Sequence, residues 1–185
     1  MVLTAKKVEK KVCVLGDWGV GKTSLIRRFV HDVYDDHYVA TLGVKVSKKN
    51  MTVKNFIKKP FLKVDLTLLI WDLVGQKGFH SVQHTAFKGT SSAFIVCDLS
   101  RPHTIDNMEW WISHLYKEAK SVPLIFLGNK VDLTDDAVPL ELSKKLDGIK
   151  SKYNASFYAT SAKTGMNVED AFQEMGRVAT RKFFD

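Results

Sequence analysis

Two hydrophobic periods alternate along this chain. Continuous apolar runs of strand length are separated by stretches in which apolar residues recur every three or four positions, as on one face of a helix. The predicted strands span 11–16, 44–53, 62–72, 92–99, 122–129 and 155–160. Helical spacing is found at 22–30, from 105 to 119 and from 168 to 178. Continuous apolar strands separated by helices predict an α/β fold with a mainly parallel sheet covered on both faces.

Strand 44–53 differs from the others because its apolar and polar residues alternate, as in a half-exposed strand. It joins the strand at 62–72 without a helix between them, so this pair is expected to be antiparallel and to lie at one edge of the sheet. There is no internal repeat, low-complexity tract or linker, which favours a single domain over residues 1–185. Ligands of such sheets bind at the carboxyl ends of the strands.

The composition is that of a soluble globular protein, with 45% apolar and 26% charged residues. No apolar run reaches the roughly 18 residues that span a bilayer. The first residues lack the apolar centre of a secretion signal, and Val2 stands where myristoylation needs glycine. Cys13 and Cys97 lie inside apolar runs, which indicates reduced core thiols in a cytoplasmic protein.

The segment "GDWGVGKT" at 16–23 matches the phosphate-loop pattern G-x-x-x-x-G-K-[ST]. It follows a strand and opens a helix, so its backbone N–H groups and the helix N-terminus can surround an anion. We expect Lys22 to reach the β- and γ-phosphates and the Thr23 hydroxyl to bind Mg²⁺. The expected phosphate-binding residues are Asp17, Trp18, Gly19, Val20, Gly21, Lys22, Thr23 and Ser24.

The segment "NKVD" at 129–132 follows a buried strand and predicts selection of guanine. Asp132 can accept hydrogen bonds from the N1–H and the exocyclic amine of guanine, a donor pair that adenine lacks. Asn129 would tie this loop to the phosphate loop, and the stem of Lys130 would lie along the base. A backbone N–H of the segment after the last strand could meet the guanine O6. That segment comprises Ser161, Ala162 and Lys163.

These motifs, together with "TLG" at 41–43, "WDLVGQ" at 71–76 and "TSAK" at 160–163, occur in the order and approximate spacing of the small GTPases. "TLG" and "WDLVGQ" most resemble the Rab branch of the Ras-like superfamily, which includes a prokaryotic or archaeal Rab-like type as one variant of the resemblance. The resemblance covers about 9–182. It implies a P-loop NTPase G domain: a six-stranded sheet of order 2-3-1-4-5-6, with one antiparallel edge strand and five helices.

The resemblance also assigns roles to residues around the γ-phosphate. Thr41 would bind Mg²⁺ and the γ-phosphate, and Asp72 would hold Mg²⁺ through water. The N–H of Gly75 would contact the γ-phosphate, and Gln76 would orient the attacking water. Gln76, Lys22 and Thr41 are therefore the expected catalytic residues.

Two tyrosines complete the implied site. Tyr34 would pack edge-on to the guanine, and Tyr38 would fold over the phosphates. The implied protein is a monomeric GTP/GDP switch with Mg²⁺ as cofactor, which hydrolyses GTP slowly, on the order of 10⁻⁴ to 10⁻² per second. An exchange factor, an activating protein and effectors are its implied partners.

Trp18 departs from the family, which usually has a small residue at this position. Its ring could lie over the second switch without catalytic consequence. It could instead block an arginine finger supplied by an activating protein. A third possibility is that it displaces Gln76 and leaves a GTP-locked, non-cycling binding module, which is the alternative function.

The net charge of +8 is concentrated in one region. Residues 41–64 contain seven lysines and no acidic residue, in a hairpin at about 44–64 that is longer than in typical Rabs. The lysines could keep an edge strand soluble, bind an anionic membrane surface peripherally, or contact an acidic protein or, less expected, a nucleic acid. The chain ends "RKFFD" without a prenylation cysteine, which suggests a truncated chain or a soluble prokaryotic form.

Two further side-chain patterns lie on predicted helices. His80 and His84 share a helix face, but a metal site would need a third ligand. Of the adjacent Trp110 and Trp111, at least one is expected to face outward.

Overall fold

A computed structural model describes residues 6–35, 43–54, 63–75, 80–134, 138 and 140–181 of the chain. Strands and helices alternate along it. The strands are β1 (Lys6–Gly16), β2 (Val44–Val53), β3 (Val64–Leu73), β4 (Ser92–Asp98), β5 (Leu124–Asn129) and β6 (Ser156–Ala159). The helices are α1 (Lys22–His31), α2 (His80–Phe87), α3 (His103–Asp106), α4 (Met108–Ala119), α5 (Leu140–Tyr153) and α6 (Val168–Thr180), with a 3₁₀ turn at Val131–Leu133.

The six strands form one sheet in the order β2-β3-β1-β4-β5-β6. β2 pairs antiparallel with β3, from Val44 opposite Leu73 to Val53 opposite Val64. All other neighbouring strands are parallel. The predicted fold class, strand order and antiparallel edge pair are therefore confirmed.

The sheet separates two apolar layers. On one face it packs against α1 and α6, where Phe172 stacks on Phe29 with ring centroids 4.0 Å apart and contacts Phe94. On the other face it packs against α2 to α5, around Trp111 and Phe126. Because the central strands β4 and β5 are buried along their whole length, they need apolar side chains on both faces.

Three elements differ from the sequence prediction. β1 begins at Lys6 rather than at residue 11, because Val8 packs on the core while charged neighbours face outward. The single helix expected over 105–119 is two segments, α3 and α4, which meet at Asn107. Hydrophobic spacing did not locate α5, although the resemblance implied five helices, because most of α5 is exposed and only Leu146 and Ile149 are buried.

The sequence also led us to expect two buried, reduced cysteines and no membrane-spanning segment. Cys13 and Cys97 are both buried and form no disulfide. Burial raises the pKa of Cys13 to about 11 and that of Cys97 to about 12. None of the helices in the described part of the chain combines the length and the apolar character needed to cross a bilayer.

Candidate nucleotide-binding site

The phosphate loop joins β1 to α1 and turns several of its carbonyls toward side-chain donors. The ammonium of Lys22 donates to the carbonyls of Gly16 and Asp17, at 2.8 Å each. The side-chain amide of Asn129 donates to the carbonyl of Val20 at 2.9 Å. Because a trans peptide points its N–H opposite to its C=O, the carbonyl held by Asn129 turns the N–H of Gly21 the other way. N–H groups of consecutive loop residues that are turned away from their carbonyl contacts in this way can form an anion-binding nest.

At two glycines, neighbouring atoms come so close to the backbone that a side chain would collide with them. A Cβ atom at Gly21, where φ is +96°, would lie 2.2 Å from Nδ2 of Asn129. A Cβ atom at Gly75 would lie 2.5 Å from Nζ of Lys22. The second close approach brings the segment after β3 directly against the phosphate loop.

The guanine motif borders a cavity of about 240 Å³ beside this loop. Asn129 is buried, and its Oδ1 accepts a hydrogen bond from the N–H of Ala162 at 3.2 Å. Asp132 is exposed at the cavity edge. The cavity is lined by Gly21, Ser24, Tyr34, Asn129, Lys130, Asp132, Leu133, Ala162 and Lys163. Eight of these nine were predicted to bind nucleotide, and only Leu133 was not.

Ser161 is fully buried beneath this cavity, where its Oγ accepts from the N–H of Thr164 at 3.0 Å. Arg28 of α1 fixes the same segment from the other side. Its Nε donates to the carbonyl of Ala162 at 2.9 Å and its Nη2 to that of Lys163 at 2.7 Å. Sequence reasoning did not single out Arg28.

The expected magnesium ligands Thr23 and Asp72 lie together. The Thr23 hydroxyl donates to Oδ2 of Asp72 at 2.5 Å, although the two residues are 49 positions apart. A hydroxyl and a carboxylate are hard oxygen donors of the kind that Mg²⁺ prefers, so this pair fits the cation that the family implies. Among the residues that the structure describes, no group of three or more His, Cys, Asp or Glu side chains offers an alternative metal site.

The second residue of the loop, Asp17, is held by helix α4. Its Oδ2 accepts from Nδ2 of Asn107 at 2.6 Å, and its Oδ1 accepts from Nε1 of Trp111 at 2.8 Å. Trp111 is buried, whereas Trp110 is half-buried and stacks on His114. The expectation that one of the two tryptophans faces outward thus holds only partly, since neither is fully exposed.

Asp98, at the end of β4, forms the centre of a second network. Its buried carboxylate oxygen Oδ2 accepts from Nε of Arg101 at 2.8 Å and pairs with Nζ of Lys130 at 2.7 Å. Nη2 of Arg101 donates in turn to the carbonyl of Trp18 at 3.1 Å. This network joins the phosphate loop to the guanine motif, and neither Asp98 nor Arg101 was predicted.

Burial and charge shift two pKa values here. Burial lowers the pKa of Lys22 to about 8, while the carboxylates of Asp72 and Asp17 act in the opposite direction. Burial disfavours the charged form of Asp98, but hydrogen bonds from Lys130, Ser100 and Arg101 lower its pKa below the ordinary value. Asp98 is therefore a buried anion stabilised by two cations.

Three predicted residues, Tyr38, Thr41 and Gln76, lie outside the described residues, as do residues 55–62 of the Lys-rich hairpin. Trp18 is described, and 50% of its surface is exposed. His84 pairs with Glu118 of α4 at 3.0 Å.

Comparisons with known proteins agree with this geometry. A profile of the Ras family matches residues 11–181. The chain is 33% identical to the Ras-related protein Rab-7a of Dictyostelium discoideum over 183 residues, covering 96% of this chain and 86% of that protein. It is 34% identical to the Ras-related protein RABG3a of Arabidopsis thaliana, with coverage of 95% and 84%. It is also 34% identical to the Ras-related protein Rab-22A of mouse, with coverage of 91% and 82%.

The family match spans almost the whole domain, and the relatives exceed 30% identity over most of their own length. The sheet order and the phosphate loop at its centre are those that the motifs implied. The chain belongs to the Ras family and is a GTP-binding GTPase of its Rab-like branch.

Proposed function

We propose that this GTPase is a cycling molecular switch of the signalling or trafficking type, which binds GTP and GDP between the phosphate loop and the guanine cavity. The observation that carries the proposal is the meeting of three strand ends. The loop after β1, the motif after β5 and the segment after β6 are joined through the single side chain of Asn129. A nucleotide placed there would have its phosphates in the nest and its base in the cavity.

In this proposal each part of the site has one task. Lys22 exchanges its carbonyl contacts for phosphate oxygens, and Asp132 accepts from the N1–H and the amine of guanine. Thr23 and Asp72 would hold Mg²⁺, which when bound neutralises charge on the phosphate oxygens. Tyr34 borders the base.

Hydrolysis itself rests on the resemblance. Gln76 would orient a water molecule in line with the γ-phosphorus, so that a new P–O bond forms while the bond to the β-phosphate oxygen breaks, giving GDP and phosphate. Thr41, Tyr38 and the N–H of Gly75 would contact the γ-phosphate side and lose that contact afterwards, which relaxes both switch segments. The expected intrinsic rate is slow, on the order of 10⁻⁴ to 10⁻² per second.

The alternative is a GTP-locked module, and the exposed indole of Trp18 is the observation in its favour. Single-turnover hydrolysis of pre-loaded GTP with Mg²⁺, for wild type and Trp18→Gly, distinguishes the two. Wild-type cleavage at the expected slow rate supports the cycling switch. A wild type that does not cleave over many hours, with cleavage restored by glycine, would show that the indole locks the GTP form.

Guanine selection has its own test in Asp132→Asn. Asparagine can donate to the 2-oxo group of xanthine, whereas it cannot accept both guanine donors. The variant is expected to lose GDP affinity by about 100-fold or more and to gain affinity for xanthosine diphosphate. The loss arises because an N–H donor of the bound guanine that has no acceptor is costly. Unchanged preference for GDP would contradict the assignment of Asp132.

An exchange factor, an activating protein and effectors are the partners that such a switch requires. Four exposed lysines on and next to the edge strand β2 support a peripheral contact with an anionic membrane. They are Lys45, Lys48, Lys54 and Lys63. Each lysine near an anionic surface contributes about 1 kcal/mol.

Co-sedimentation with phosphatidylserine vesicles and with neutral vesicles tests this contact. Binding to the anionic vesicles alone, weakened by salt and by changing the four lysines to glutamine, is expected. Equal binding of wild type and the quadruple variant would leave these lysines as solubilising charge on an edge strand.

A further inference from the structure

Arg101 is the one side chain that connects the outside of the phosphate loop to the buried anion Asp98 in the described structure. Its Nε donates to Oδ2 of Asp98 at 2.8 Å, and its Nη2 donates to the carbonyl of Trp18 at 3.1 Å. A Cβ atom placed at Gly19 would lie 3.4 Å from the same Nη2. The guanidinium therefore lies directly against the peptide unit between Trp18 and Gly19.

The planarity of that peptide unit gives the contact a consequence. Because C=O and N–H of a trans peptide point in opposite directions, holding the Trp18 carbonyl on Arg101 turns the N–H of Gly19 away from the guanidinium. Asn129 does the same for the peptide between Val20 and Gly21, because it holds the carbonyl of Val20. Each contact thus turns one N–H of the loop away from the side chain that holds its carbonyl, and an anion nest is built from N–H groups oriented in this way.

The shape of an arginine suits this position. Its rigid fork places separate N–H donors on Asp98 and on Trp18 at the same time, whereas an ammonium is a single point of charge. Asp98 is fully buried and also pairs with Lys130 at 2.7 Å, so the anchor of the fork cannot move away into solvent.

We infer that Arg101 is a positioning residue for the phosphate chain, which acts by fixing the Trp18–Gly19 peptide so that the N–H of Gly19 faces the β-phosphate side of the bound nucleotide. This inference rests on the proposed binding of GDP and GTP in the loop. Arg101 itself needs no contact with nucleotide. Its effect is expected on affinity for the phosphate chain rather than for the base.

The test compares Arg101→Ala with wild type in the release of fluorescent GDP and in equilibrium binding of GDP and of GMP. Loss of a charge-assisted hydrogen bond is expected to speed GDP release about tenfold. GMP lacks the β-phosphate, so its dissociation constant is expected to change by less than about twofold. Arg101→Lys, which keeps the charge but loses the fork, is expected to release GDP almost as fast as the alanine variant.

Arg177→Ala is the matched control. Arg177 also donates its Nε to a carboxylate three residues away, Glu174 at 2.7 Å, and is similarly exposed, but it lies on α6 away from the loop. A control variant that releases GDP like wild type, beside a tenfold faster Arg101→Ala, supports the inference.

Two results would overturn it. Arg101→Ala could release GDP no faster than Arg177→Ala, or it could weaken GDP and GMP by the same factor, as general destabilisation would. The wild-type titration tests the proposed function separately. No GDP binding by wild type would overturn both, whereas tight wild-type binding with an unaffected Arg101→Ala would overturn only the role of Arg101.

Discussion

The phosphate-loop end of the sheet and its β2 edge are built in different ways. At the phosphate loop, side chains donate to backbone carbonyls: Lys22 does so from the end of the loop itself, and Asn129 and Arg101 from distant parts of the chain. At the edge, β2 is held by pairing with β3 and by a few apolar contacts, from Met51 and Val53 on one face and Val44 on the other, while lysines occupy exposed positions. The described part of β2 pairs on one side only.

This difference separates ligand binding from folding. A polar substitution at the loop changes which way a peptide unit points, and therefore the affinity for phosphate. A substitution where β2 meets α6 changes packing, and should alter stability without altering nucleotide affinity.

The largest effect is expected for Gly21→Ala. The new Cβ would lie 2.2 Å from Nδ2 of Asn129 at a φ of +96°, so the contact between the loop and the guanine motif must break. We expect GDP affinity to fall by about 100-fold or more, because several oriented donors are lost together. Calorimetric titration with GDP measures it.

Gly89→Ala is the control for that substitution. Gly89 also has a positive φ, +72°, but nothing lies within 4 Å of its Cβ position. It is expected to cost about 1 kcal/mol of stability and no GDP affinity. A Gly21→Ala protein that binds GDP within threefold of wild type, that is within about 0.7 kcal/mol, would contradict the close-packed arrangement.

The next effect concerns two helical glycines. A Cβ at Gly176 of α6 would lie 2.9 Å from Val53 at the end of β2, whereas nothing lies within 4 Å of a Cβ at Gly148 of α5. Gly176→Ala should destabilise the fold by about 1–3 kcal/mol through overpacking. Gly148→Ala should stabilise it by about 0.5–1 kcal/mol through helix propensity.

Urea unfolding of both variants and a GDP titration check this pair. The separation of packing from binding predicts opposite changes in stability and the same GDP affinity. If Gly176→Ala weakened GDP binding as strongly as it weakened the fold, the two regions would be coupled through α6.

A smaller effect depends on pH and on Asp98. Its pKa is lower in the folded protein than the ordinary value of 3.8. The contribution of its ion pairs to stability is thus fully present above the unfolded-state pKa and is lost as pH falls through the lower folded-state value. At acid pH, the free energy of unfolding of Asp98→Asn should therefore fall less steeply with pH than that of wild type, by at most about 1.4 kcal/mol per pH unit.

Unfolding midpoints of wild type and Asp98→Asn between about pH 5 and pH 2 check this prediction. Parallel curves through the acid range would show that the Asp98 network contributes nothing to acid sensitivity.

The smallest change is expected at the thiols, because burial raises the pKa of Cys13 to about 11 and that of Cys97 to about 12. Native protein at neutral pH should take up almost no alkylating reagent over an hour, while the urea-unfolded chain reacts fully. Mass spectrometry after a timed pulse measures the labelling. Rapid native labelling of either thiol would indicate local opening of β1 or β4.

Motifs in the sequence predicted the parts of the site that follow strand ends. Asn129, Lys22 and the Thr23–Asp72 pair belong to short patterns whose chemistry requires those residue types, and the structure places them next to one another. Strand order followed from the family resemblance, whereas the continuous apolar runs predicted only a mainly parallel sheet covered on both faces.

The supporting residues could not be predicted in the same way. The Arg101–Trp18 contact joins residues 83 positions apart, and an isolated arginine after a strand carries no periodic signal. Trp111 is different, because it lies three positions after buried Met108 and four before buried Leu115. Helical spacing alone would therefore have placed it inside and Trp110 nearer the surface.

The bond between Trp111 and Asp17 gives this protein a built-in optical reporter. The buried indole N–H donates to a carboxylate of the phosphate loop at 2.8 Å, whereas Trp18 on the same loop is half exposed. Of the four tryptophans, Trp111 should emit at short wavelength with an intensity sensitive to the loop, and Trp18 at longer wavelength. Label-free fluorescence could follow nucleotide exchange in real time, with Trp111→Phe as the reference that lacks the Trp111 signal.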